Sequence, residues 1–79
     1  MKFIKLVVQE DDIRFVSLDS IGEILFHFGH KYFVKLFNKN CDSLIYLVET
    51  SNESAREFLN WLDNGLNNTF NLKVFTIKS

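Results

Sequence analysis

Ile21-Gly22-Glu23-Ile24-Leu25-Phe26-His27-Phe28, Tyr32-Phe33-Val34-Lys35-Leu36-Phe37 and Leu44-Ile45-Tyr46-Leu47-Val48-Glu49 are three short runs rich in β-branched and aromatic residues. Gly29-His30 separates the first two, and a polar stretch separates the second from the third. Such runs, bounded by turn residues, read as strands. None alternates cleanly between apolar and polar residues, so this sheet carries apolar surface on both faces. A face that is apolar must be covered.

Register follows from the turns. Gly29 can supply the positive φ that a two-residue type II′ loop needs at its first central position. That loop would pair Phe28 with Lys31, Phe26 with Phe33 and Ile24 with Lys35. A four-residue loop from Lys39 to Asp42 would place Phe37 against Leu44, Lys35 against Tyr46 and Phe33 against Val48. The two faces then differ. One is aliphatic, with Leu25, Val34, Leu36, Ile45 and Leu47. The other is aromatic and mixed with lysine: Phe26, Phe28, Lys31, Phe33, Lys35, Phe37 and Tyr46.

Upstream, Lys2 to Val8 and Ile13 to Leu18 read as strands around an acidic turn. A two-residue Glu10-Asp11 loop would set Val8 opposite Ile13 and Leu6 opposite Phe15. Asp19-Ser20 interrupts the β pattern, and both side chains bond readily to nearby backbone, so a tight turn or a single helical turn is expected there. Downstream, Ser51 to Asn64 reads as a helix with an apolar stripe of Ala55, Phe58, Leu59 and Leu62. Thr50 and Ser54 both fit the capping-box spacing, and Thr50 is the expected cap because it sets Glu53 at the third helical position. Trp61 borders the stripe and is expected in the core. Asn64-Gly65 is a stop signal, with Leu66 placed to fold back over Trp61 or Leu62. Asn67-Asn68 then turns the chain into a last strand from Phe70 to Lys78. The expected fold is α+β: one domain over residues 1–79, a small antiparallel sheet of about five strands with one helix on one face, in the order β-β-β-β-α-β.

Composition sets outer bounds. With 79 residues, 47% of them apolar, the chain is globular but near the lower size limit for independent folding. A core this small supplies roughly 3–5 kcal/mol, and oligomerisation is a common supplement. Cys41 is the only cysteine, so disulfides supply none of the stability. A lone thiol without a signal peptide reads as intracellular, and a cytoplasmic location is expected. The net charge of −1 provides no global field to recruit nucleic acid or an anionic membrane. No apolar run reaches the roughly 20 residues of a membrane-spanning helix.

No catalytic or cofactor motif is present. His27, Tyr32 and Glu49 fall on one rung in the expected register, an imidazole near a carboxylate but without a nucleophile or oxyanion site. His27, His30, Cys41 and Asp42 have metal-binding chemistry, but the histidines and the cysteine belong to turns at opposite ends of one strand. No cofactor or metal is therefore expected, and no enzymatic activity. The aromatic face remains as the candidate site. Five half-exposed rings offer roughly 400–600 Å². A second copy of the chain could cover them, or the first hairpin and last strand curling across, or a ligand. The leading expectation is a non-enzymatic protein-interaction domain, homodimeric through this aromatic face, that serves a protein partner as adaptor or inhibitor. The alternative is single-stranded nucleic acid stacking on the rings with Lys31 and Lys35 on its backbone. Four strands followed by a helix is a layout similar to that of the dimeric single-strand-binding coactivators; the similarity extends to layout alone.

Overall fold

A computed structural model describes residues 2–9, 12–65 and 69–78. Strands β1 (Phe3–Val8), β2 (Asp12–Ser17), β3 (Ile21–Phe28), β4 (Tyr32–Asn38) and β5 (Leu44–Thr50) precede helix α1 (Asn52–Asn64), and β6 (Thr69–Lys78) follows it. All six strands form one sheet in the order β2-β1-β6-β5-β4-β3. The α+β class stands, with corrections to strand number, order and direction. Five strands precede the helix, and the sheet is mixed, because β6 inserts between β5 and β1 and runs parallel to β1. Hydrophobic pattern marks a strand but not its partner. The two neighbours of β6 lie far from it in sequence.

The connection between β2 and β3 decides the shape. These are the two edges of the sheet, and only one 3-10 turn, Leu18–Ser20, links them. Laid flat, edges of a six-stranded sheet lie about 24 Å apart. The link from Ser17 to Ile21 spans at most about 14 Å. The sheet must therefore curl, and contacts across the curl record it. Lys39 Nζ in the β4–β5 turn donates to Asp19 O at 3.3 Å. The Arg14 guanidinium of β2 lies 5.4 Å from the ring centre of Tyr46 on β5, although two strands separate β2 from β5. The Asp12 carboxylate, and then the neighbouring Tyr46, raise its pKa above the ordinary arginine value.

Curling gives the sheet an inside and an outside. Ile4, Leu6, Val16, Val34, Leu36, Val48, Leu72 and Val74 are buried inside, and α1 adds Ala55, Phe58 and Trp61. Phe58 is the hub: its ring lies 5.2 Å from Phe70, 5.6 Å from Phe26 and 6.1 Å from Trp61. Trp61 is in the core as expected, whereas Leu59, expected in the stripe, is exposed. Trp61 Nε1 is buried and finds no partner among the described residues.

The hairpin registers differ from expectation by single residues, and each slip has a cause. Phe28 stands opposite Tyr32, not Lys31. Gly29 does not take a positive φ, so the type II′ loop does not form and the connection is three residues long. Phe37 stands opposite Leu44 as expected, but Ile45 is then an extra residue, and Tyr46 faces Leu36 instead of Lys35. The two slips cancel across β4. Ile24, Phe26, Phe28, Tyr46 and Val48 still share a face, while β4 alone is turned over, with Val34 and Leu36 inside and Phe33, Lys35 and Phe37 outside. In the first hairpin Val8 faces Asp12 and Lys5 faces Phe15, which sends Ile13 and Phe15 outward. The Glu10-Asp11 loop, the Leu66 cover and the Asn67-Asn68 turn lie outside the described residues.

Gly22 is the extra residue of a bulge opposite the end of β4. A Cβ there would stand 2.5 Å from Lys39 O and 2.6 Å from Asn38 O, so only glycine lets β3 pass under this turn. Asn38 builds the turn, accepting at its side-chain oxygen from Asp42 N at 3.1 Å and Ser43 N at 3.2 Å.

The helix cap also needs correction. Ser51 is the N-cap and accepts from Ser54 N at 3.0 Å. Thr50 is buried, and its hydroxyl donates to Lys73 O, tying β5 to β6. The helix ends at Gly65, in the left-handed region at φ 55°, where its N–H donates to Trp61 O. Ser51→Ala should therefore cost about 1 kcal/mol in urea denaturation and speed exchange of the Ser54 amide. Thr50→Val should cost stability without changing that amide. A neutral Ser51→Ala would contradict this cap.

Candidate functional site

The expected aromatic and lysine platform is divided by the turned-over strand. Phe26, Phe28 and Tyr46 belong to the inner face. Phe26 packs on Phe58, while Phe28 lies at the rim with the Arg56 guanidinium 5.0 Å from its ring centre. Phe33, Lys35 and Phe37 belong to the outer face, and Lys31 lies exposed in the turn between β3 and β4. The helix meets Phe26 and Phe28, and among these rings the first hairpin meets Tyr46 through Arg14.

The other sequence candidates are likewise separated. Tyr32 faces inward beside Phe28, with ring centres 5.7 Å apart. His27 and Glu49 do share an outer rung, but Phe33 stands between them. Cys41 lies exposed in the β4–β5 turn, away from the histidines, and the described residues contain no group of three His, Cys, Asp or Glu placed to hold a metal ion.

What the fold exposes instead is the outer face of the sheet. On β2, β1 and β6 the rungs read Phe15-Lys5-Asn71 and Ile13-Val7-Lys73. On β6, β5, β4 and β3 they read Lys78-Leu47-Lys35-Leu25 and Thr76-Glu49-Phe33-His27. Phe15 is 62% exposed and Phe75 60%, unusual for rings of that size. The Lys5 ammonium sits 5.7 Å from the centre of the Phe15 ring. Sequence reasoning missed Phe15 because the loop preceding β2 sets that strand's parity. It missed Phe75 because β6 has no local partner to fix which way its side chains point.

Two depressions mark this surface. One, of about 410 Å³, is lined by Leu25, Phe26, His27, Phe33, Lys35 and Leu47. The other, of about 250 Å³, lies where α1 begins and brings Glu53 and Glu57 beside Lys73 and Phe75. In the first, the half-buried Lys35 lies among apolar groups and makes no hydrogen bond or ion pair among the described residues. Its stem covers apolar surface while the ammonium reaches for water.

Comparison with protein-family models, with curated proteins and with solved structures finds no match. No described helix is long and apolar enough to cross a membrane.

If Lys35 serves only as a stem over apolar neighbours, Lys35→Met should leave stability unchanged or raise it by up to about 1 kcal/mol. Urea denaturation would check this. A loss of more than about 1 kcal/mol would show that the ammonium has a partner the geometry does not reveal.

Proposed function

We propose that this chain is a non-enzymatic protein-interaction domain, acting as adaptor or inhibitor of a protein partner through the outer face of its sheet, and that it works as a homodimer. The observation that carries the reading is the exposure of Phe15 and Phe75 on a face that also presents Ile13, Leu25 and Leu44 to solvent. Core packing does not hold Phe15 or Phe75, since Val16 and Val74 beside them take the buried positions of their strands. Phenylalanine is among the residues enriched at protein interfaces relative to the rest of the surface.

A single-stranded nucleic acid is the second reading, favoured by the lysines among the rings: Lys5, Lys35, Lys73 and Lys78 share the outer face. Three features weigh against it. The Lys5 ammonium lies over the Phe15 ring, where a base would stack. Glu53 and Glu57 share a cleft with Lys73, and the net charge is −1. Without a cationic field the phosphate backbone has little to hold it.

Purification from the native cells, with wild type and a Phe15→Ser/Phe75→Ser variant, tests the first reading. Both sites are exposed, so the variant should keep its stability within about 0.5 kcal/mol at each site. The wild type should retain one protein in fixed stoichiometry that the variant loses. A wild type that purifies without a partner, or a partner held equally by the variant, would count against the proposal. Tight binding of a mixed-sequence single strand, weakening with salt by about 0.7 log units per neutralised phosphate, would favour the second reading instead.

A further inference from the structure

We infer that the edge strand β3 is where two copies of this chain meet, pairing antiparallel across a two-fold axis at Leu25 to make one continuous sheet. The inference rests on the homodimer proposed above and specifies how its copies join.

The two edges of the sheet are not equivalent. β2 has six residues and carries Asp12 and Arg14, whose side chains pair at 3.2 Å. β3 has eight residues, and the stretch from Ile24 to Phe28 contains no Asp, Glu, Lys, Arg or Pro. Among the described residues no strand pairs with its outer side. Edge strands usually carry lysine, proline or an inward charge to prevent pairing with another chain. This one has a bulge at Gly22 near its start, and beyond Glu23 it has no such device.

The side chains select one register. Antiparallel partners directly opposite each other share a sheet face, so a self-pairing must be centred on a residue. Centred on Ile24, it sets the Glu23 carboxylate opposite Leu25 of the second copy. Centred on Phe26, it sets His27 opposite Leu25. Centred on Leu25, the rungs from Glu23 to His27 are matched. Leu25 meets its own copy, Ile24 meets Phe26 on the inner face, and Glu23 meets His27 on the outer face, twice by symmetry. Leu25 is 45% exposed in the single chain, and pairing covers it. The depression lined by Leu25, His27 and Lys35 then occurs on both sides of the axis, so the dimer presents a doubled outer surface.

Charge exchange tests this register. Glu23→Lys sets a lysine opposite His27 in both rungs, and His27→Glu sets two carboxylates opposite each other. Both side chains are exposed, so circular dichroism should find each variant folded. Sedimentation equilibrium should find each single variant associating about tenfold more weakly than wild type, because the cross-strand change is made twice. Mixing the two should restore the dimer. In the mixed pair, the lysine introduced at position 23 of one copy meets the glutamate introduced at position 27 of the other. The unchanged His27 of the first copy meets the unchanged Glu23 of the second. Recovery on mixing is the expected result, and general destabilisation would not produce it. A wild type that stays monomeric at high micromolar concentration would overturn the pairing and leave the outer-face partner standing. A dimer indifferent to both changes but dissociated by Phe33→Ser would overturn it too, in favour of sheet-on-sheet packing.

Discussion

A three-residue link between the two edges of a six-stranded sheet is the constraint on which this structure depends. It is too short to join the edges of a flat sheet. Twist alone, at roughly 20–25° per strand pair, turns β2 relative to β3 by about 100° or more, and the link holds the end of β2 beside the start of β3. Once the sheet is curled, one face has room only for side chains and the helix. The other becomes the outside. The helix is thus not the whole cover of the core; the curled sheet covers much of itself, which is how a single helix of 13 residues suffices.

The elements were legible in the sequence, while their partners were not. Strand starts at Ile21, Tyr32 and Leu44, the interruption at Asp19-Ser20 and the stop at Gly65 follow from local chemistry and stand as read. Register resisted reading because it hangs on single backbone choices. Gly29 is able to take a positive φ and does not, and Ile45 is an extra residue that no pattern announces. Either one reverses every side chain of β4 relative to a neighbour. Lys35 held the better clue. An ammonium has no place under a helix without a counter-charge, so its face had to be the open one, with Val34 and Leu36 inside. The position of β6 was beyond local reading, since β1 and β5 contact it only in the finished fold.

The candidate surface was legible in kind but not in place. An excess of apolar residues on both faces marked the sheet as having something to meet on each side, without saying which rings. Phe26 and Tyr46, which looked available, are partly buried in the curl, while Phe15 and Phe75, which drew no attention, stand open. The same curl leaves β3 as a long edge with little to defend it. In a chain this short, an undefended edge and an apolar outer face are two routes to the burial that one small core cannot supply.

Because the inside and outside of β4 determine the rest, the most direct measurement is side-chain relaxation by a soluble paramagnetic agent along that strand. Phe33, Lys35 and Phe37 should relax strongly, with Val34 and Leu36 protected to the level of Phe58. Protection of Phe33 and Phe37 with strong relaxation at Val34 and Leu36 would contradict the account, restoring the aromatic platform that the sequence first suggested.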